Sequence, residues 1–386
     1  MALLPTAAEV VIIGGGVMGT STAYHLAKKG CREVVLLEKE TFFGEGATGR
    51  CAGGFRHQFA TEIDIRLSMH SIRMLERFAL EMEQEIGFNP CGYLFLLSQE
   101  EDVEDFRRNV ELQRRLGVET EWVSVEEIAQ LVPLVNREGI AAGTFCGQDG
   151  LADPSSVVQG YVKGARRLGA MLLAETEVID IEVRAGRVRG VVTNRGSIQT
   201  PIVVNAAGPW AGQVGAMAGV DVFVKPVRRQ MSVTTPIPQV RADLPMVIDF
   251  AQSLYFHREG PGILTGMSNP DEPPGFDQSV DLDWQIRHFE AATLRMPILA
   301  EAGILNSWAG LYEVSPDALP ILGRVAEVEG FVCINGFSGH GFMHGPICGL
   351  LIAEEIVDGS AHTVDINSLR IERFERRHDL REYVVV

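Results

Sequence analysis

Four apolar residues, Val10-Val11-Ile12-Ile13, run straight into Gly14-x-Gly16-x-x-Gly19, and this junction limits the fold more than any other stretch of the chain. A small-residue helix through Ala23, Leu26 and Ala27 follows, Gly30 ends it, and a second apolar run, Val34-Val35-Leu36-Leu37, delivers the acid Glu38. Strand, tight turn, helix and strand in this order form a dinucleotide site. Gly14 permits the turn, Gly16 lets a pyrophosphate approach the backbone, and Gly19 lets helix and strand pack closely. The helix start aims unpaired N–H groups and its positive dipole end at phosphate, and Glu38 can accept hydrogen bonds from a ribose diol. Glycines are common here, 41 in all, so a plain βαβ unit with glycines kept for packing is the alternative. NAD and FAD sites share the motif, and the rest of the chain must decide between them.

A length of 386 residues exceeds one small core, so two intimately connected domains are expected. The net charge of -17 argues against nucleic acid or anionic membrane as a partner, while allowing a locally basic pocket. No apolar run reaches the roughly 20 residues of a spanning helix, and no basic region precedes an apolar signal core, so no transmembrane segment and a cytoplasmic location are expected. Cys31, Cys51, Cys91, Cys146, Cys333 and Cys348 show no C-x-x-C pair or zinc spacing and read as reduced, mostly buried thiols, with no metal expected.

Beyond Glu38, the glycine-rich segment from Phe42 to Arg56 has neither helical nor strand period, as when backbone passes close to something flat or charged. Apolar spacing predicts a helix from Glu62 to Ile86 stopped by Gly87, a buried strand at Tyr93–Leu97, and a helix over 100–116 closed by Gly117. Ser124 with Glu127 forms a capping box, and Asp153-Pro154 starts a helix running to about Leu168. Strands are expected at 171–174, 177–183, 188–193 and 198–204, then at 230–235, 246–249, 254–257 and 263–266, followed by a helix through Trp284, Phe289 and Leu299. Two further strand-to-small-residue turns occur, at Asn205 to Trp210 and at Gly336 to Met343. A nicotinamide dehydrogenase needs no glycine junction so near the C-terminus.

Together these three junctions resemble the D-amino-acid-oxidase-like FAD oxidoreductases, especially the β subunits of heterotetrameric sarcosine oxidase and of dye-linked L-proline dehydrogenase. The most specific matching pieces are Phe55-Arg56-His57-Gln58-Phe59, Gly92-Tyr93-Leu94-Phe95-Leu96, Trp308-Ala309-Gly310-Leu311-Tyr312 with Ser315-Pro316-Asp317, and Gly336-Phe337-Ser338-Gly339-His340-Gly341-Phe342. The resemblance covers Val10 to about Asp358. It implies a mixed α/β and α+β fold: a glutathione-reductase-type FAD-binding Rossmann domain from residues 1–85, 150–222 and 310–370, a discontinuous substrate domain on a mainly antiparallel sheet from 86–149 and 223–309, and a C-terminal tail over 371–386. Implied FAD contacts are Gly14, Gly16, Val17, Met18, Gly19, Glu38, Lys39 and Val178 toward the adenosine, with Thr48, Arg50, Cys51, Gly53, Ala207, Gly208 and Trp210 beyond. At the ring end they are Gly310, Gly336, Gly339, His340, Gly341, Phe342 and Met343.

Departures from the family pattern carry information. Gly310 stands where monomeric sarcosine oxidases have a flavin-linking cysteine, and Cys51 where dimethylglycine dehydrogenases have a flavin-linking histidine, so noncovalent FAD is favoured. Asp153-Pro154-Ser155 replaces the FMN-linking histidine, so any FMN would be noncovalent and shared with a partner, an α subunit or an electron-accepting subunit. Leu264 falls near the lysine that activates oxygen in the oxidases, which favours a dehydrogenase. Arg56 matches the arginine that binds substrate carboxylate; Met343 replaces a second, lysine anchor and suggests a more apolar pocket. His340 could accept a proton from the amine or anchor its loop, and His57, Tyr255 and Tyr312 are weaker candidates for the pocket wall. The function expected is hydride transfer from the carbon beside nitrogen of a secondary or N-methyl amino acid, sarcosine- or proline-like, to flavin N5, giving an imine. A glycine- or sarcosine-type oxidase, and a flavin-binding assembly subunit without its own catalysis, are the alternatives.

Overall fold

The computed structural model describes residues 3–375 and 380–385; of the tail expected over 371–386, residues 376–379 and 386 lie outside this description. Strand Val10–Ile13 lies in the middle of a six-stranded sheet, in the spatial order 321–324, 331–335, 203–205, 10–13, 34–37, 171–173. All neighbours are parallel except the edge pair formed by 321–324 and 331–335. Val10–Ile13, Val34–Leu37 and Val203–Asn205 are buried throughout, as parallel strands covered on both faces must be. Helix Val17–Lys28 covers one face and is itself buried from Val17 to Ala27, because the C-terminal helix Gly341–Val357 lies against it. Glycines permit that contact: a Cβ on Gly345 would fall 2.6 Å from the Val17 side chain, and one on Gly349 would fall 2.7 Å from the backbone of Ser21.

The other large layer is an eight-stranded sheet in the order 304–314, 225–234, 262–267, 254–259, 246–249, 93–97, 142–146, 121–123. It is antiparallel except where Met246–Asp249 runs parallel to Tyr93–Leu97. The mixed α/β architecture with a mainly antiparallel second sheet is therefore present. A three-stranded sheet (178–184, 187–193, 196–199) packs beside the parallel layer, and Gly54–Phe55 pairs with Gly150–Leu151. No helix of the described residues is long and apolar enough to cross a membrane.

The capping signals behave as their chemistry requires. Ser124 and Glu127 exchange both capping-box bonds, and the Asp153 carboxylate accepts from Ser156 N at the start of Pro154–Arg167. Three expectations need correction. The helix over 62–86 is two, Glu62–Glu76 and Phe78–Met82, and it stops at Glu83 in a left-handed conformation (φ 56°), before Gly87. The single strand over 198–204 is two, Gly196–Gln199 in the small sheet and Val203–Asn205 in the parallel sheet; Pro201, which has no N–H to donate, lies in the break. The helix expected to reach Leu299 ends at Arg295, and Pro297 opens a separate 3-10 turn.

Candidate active site

A cavity of about 460 Å³ lies where the two large sheets meet. At one end is the first glycine turn. Gly14 has φ +111°, and a Cβ there would sit 2.3 Å from the carbonyl of Ala206; a Cβ on Gly19 would sit 1.9 Å from the carbonyl of Gly14. Helix Val17–Lys28 starts at Gly16 without a side-chain cap, and Thr48 Oγ1 accepts from Val17 N at 3.2 Å. The remaining N–H groups of the first turn and the bare backbone of Gly14 and Gly16 form a cradle suited to a dinucleotide pyrophosphate. Glu38 accepts from Gly15 N at 2.7 Å and from Glu40 N at 2.9 Å, and burial raises its pKa. Val178, Ala207 and Gly208 line the same end, where Lys39 Nζ sits 3.7 Å from the Trp210 ring centre. The residues present fit the adenosine and pyrophosphate of FAD.

Next comes the glycine-rich segment. Arg50 is tied to the strand Ile304–Val314 in both directions: its Nη1 donates to Ala309 O at 3.0 Å, and Trp308 Nε1 donates to Arg50 O at 3.1 Å. A Cβ on Gly310 would meet Arg50 Cβ at 3.0 Å. At the C-terminal junction a Cβ on Gly339 (φ +102°) would lie 2.4 Å from the Tyr312 ring. Cys51 and Gly53 line the cavity here, with Gly341, Phe342 and Met343 opposite. Burial pushes the Cys51 thiol up to about 11, toward the neutral form.

The eight-stranded sheet supplies the remaining wall: Tyr93, Arg229, Met231, Met246, Ile248 and Tyr255, joined by Tyr312. Burial raises the pKa of Tyr255 and Tyr312 and lowers that of Arg229, each in the direction of the neutral form. Arg229 is not among the site residues expected from the sequence. Period-two alternation with Met231 marks it, but a charge inside an apolar strand pattern looks like a solvent-facing position.

Arg56 lines the cavity and is buried, its guanidinium 3.9 Å from the Phe59 ring centre. One terminal nitrogen donates to Gln58 O and the other to Val384 O. His340 also reaches the cavity, and its Nε2 lies 3.0 Å from Ala318 O, an acceptor, so this nitrogen carries the hydrogen. His340 Nδ1 is then an acceptor for His344 Nδ1 at 3.2 Å, and His344 Nε2 takes the hydrogen of the Ser68 hydroxyl at 2.8 Å. Burial holds His340 down to about 3, so it accepts no proton at neutral pH, and of its two expected roles the loop anchor is the one its partners support. Buried Asp64 stands beside this histidine pair, its Oδ1 4.0 Å from His344 Nδ1 and its Oδ2 accepting from the Thr61 hydroxyl at 2.8 Å.

Three expected site residues do not line the cavity. His57 turns to buried Asp149, whose carboxylate takes its Nδ1 at 2.7 Å and its backbone N–H at 2.8 Å. Gly19 acts through contact with Gly14, one layer beneath the surface. Gly336 (φ +78°) donates to Glu313 at 3.0 Å and faces Ser315 and Ile321.

Comparisons with known proteins agree with this geometry. The family profile described as FAD dependent oxidoreductase matches residues 9–355. Rat mitochondrial dimethylglycine dehydrogenase is 36% identical over 91% of this chain and 43% of its own length. Human mitochondrial sarcosine dehydrogenase is 33% identical over 98% of this chain and 42% of its own. The chain thus spans less than half the length of these relatives. The crystal structure of L-proline dehydrogenase from P. horikoshii superposes with a TM-score of 0.90 at 35% identity, over 97% of this chain and 99% of that one.

Proposed function

The chain belongs to the family of FAD-dependent oxidoreductases, and on that premise we propose that it oxidises a secondary or N-methyl amino acid, sarcosine- or proline-like, to an imine. The bound flavin supplies the acceptor for the hydride that leaves the carbon beside nitrogen. One observation carries the substrate class: two guanidinium groups, Arg56 and Arg229, stand in a compartment walled largely by tyrosine rings, thioethers and Ile248. That combination suits a small carboxylate with an apolar body. The same two positive charges, with burial, favour the neutral amine over the ammonium and so free its lone pair. Tyr93, Tyr255 and Tyr312 orient the substrate and keep water out.

The proposed division of labour is the one expected from the sequence: residues 1–85, 150–222 and 310–370 hold FAD, 86–149 and 223–309 hold substrate, and Arg56 and Tyr312 of the first group reach the substrate compartment. Noncovalent FAD is supported by Gly310 at one linking position and by Cys51 in place of the linking histidine at the other. Leu264, near the position of the lysine that activates oxygen in the oxidases, is a buried apolar residue, which favours a dehydrogenase passing electrons to a partner subunit, with shared FMN or without it. Anaerobic mixing of the FAD-loaded protein with sarcosine, proline, dimethylglycine and glycine tests the reading: one of the first three bleaches the flavin. If none does, the substrate class is wrong. Rapid reoxidation of the reduced protein in air would instead make it an oxidase.

A further inference from the structure

We propose that Arg229, rather than Arg56, forks the substrate carboxylate, an inference that rests on the amino-acid reading above. The two guanidinium groups differ in what they have left to give. Arg56 spends both terminal nitrogens on this chain's own carbonyls, Gln58 O and Val384 O, with its face against Phe59. It is a positioning residue that ties the C-terminal segment across the cavity, where Val385 joins the lining. Arg229 makes one such bond, Nη1 to Arg228 O at 3.0 Å, and its buried Nε has no partner among the described residues. A buried donor without an acceptor marks a place where a ligand atom belongs.

Strand alternation explains why no acid of the protein has claimed it. Arg229 and Met231 face the cavity, whereas Arg228 turns the other way and pairs with Glu272 at 2.9 Å and Asp277 at 2.9 Å. Across the ladder Arg229 is in register with Gly310, so the neighbouring strand offers no side chain at that point. The guanidinium is left 5.3 Å from the Tyr312 ring centre, with Tyr255 in the same wall. The Nε edge of a guanidinium presents two parallel N–H groups, the match for a carboxylate.

The test titrates FAD-loaded protein with pyrrole-2-carboxylate, which carries the carboxylate but no oxidisable carbon beside nitrogen, and reads the perturbation of flavin absorbance. Arg229→Met is expected to weaken binding by about 100-fold, the scale of losing a charge-assisted bidentate contact. Arg229→Lys recovers part of the loss and shows that charge at this position matters; if Arg229→Met loses its flavin, the lysine variant decides. With a reactive amino acid, KM rises more than kcat falls. Arg56→Met is expected to expose the C-terminal segment to protease and to weaken binding far less. Binding by Arg229→Met within threefold of the parent overturns the proposal, as does loss of binding in Arg56→Met while the C-terminal segment stays protected. If pyrrole-2-carboxylate binds through Arg229 but no amino acid bleaches the parent flavin, the anchor stands and the proposed oxidation fails.

Discussion

Arg56 donates a hydrogen bond to the carbonyl of Val384, 328 positions later in the chain. Beside it the buried carboxylate of Glu382 accepts from Ala60 N at 3.0 Å, Thr61 N at 3.1 Å and Val384 N at 2.8 Å. The segment around 56–61 and the C-terminal residues therefore form one unit. Glu382→Ala leaves three N–H groups without their acceptor and is expected to cost about 3 kcal/mol. Urea unfolding measures this, and limited proteolysis should show earlier cleavage after Glu375. Unchanged stability would mean that the C-terminal segment is not fastened in solution.

Asp317 and Arg373 form a buried bidentate pair, with Nε to Oδ2 at 2.7 Å and Nη2 to Oδ1 at 3.0 Å. Asp317→Asn strands the guanidinium and is expected to destabilise by about 3–5 kcal/mol, whereas combining Asp317→Asn with Arg373→Met costs less than the sum of the single changes. A double-mutant cycle by urea unfolding checks this. Additive losses would refute the coupling.

The histidines set an acid limit. Burial holds His25 and His340 at about 3 and His257 and His288 at about 4, all below the ordinary value of 6.5. The unfolded chain binds protons that the fold refuses, so stability falls as pH drops below 6.5; at pH 5 each group accounts for a loss of about 2 kcal/mol. Glu313, raised to about 7 by burial, works the other way, because its folded carboxyl takes up a proton that the unfolded one releases above 4.5. Melting curves between pH 7 and 5 should show the net loss, and Glu313→Gln should steepen it. A flat profile in both proteins would contradict the burial of these groups.

Local patterns were legible wherever local physics decides. The first glycine turn, the Ser124 capping box and the Asp153 cap need only neighbours in sequence, and they form as read. Breaks inside apolar runs were not, because Glu83 and Pro201 interrupt patterns whose hydrophobic period continues past them. The site itself was partly legible. The glycine contacts follow from chain geometry, but Asp149 lies 92 residues from His57 and Val384 328 residues from Arg56, and nothing near either residue announces them. Arg229 needed the register with Gly310 to be visible at all.

That register has a consequence for how the protein can change. Strands 225–234 and 304–314 stay in step from Lys225 opposite Val314 to Val233 opposite Asn306, and the ladder slips only at Val233/Thr234. The slip lies at one end of the ladder, beyond the Arg229–Gly310 pair, next to the segments after Thr234 and before Ile304. It acts as an expansion joint. Insertions or deletions in those segments can be absorbed there without changing the spacing between the Arg229 guanidinium and Gly310.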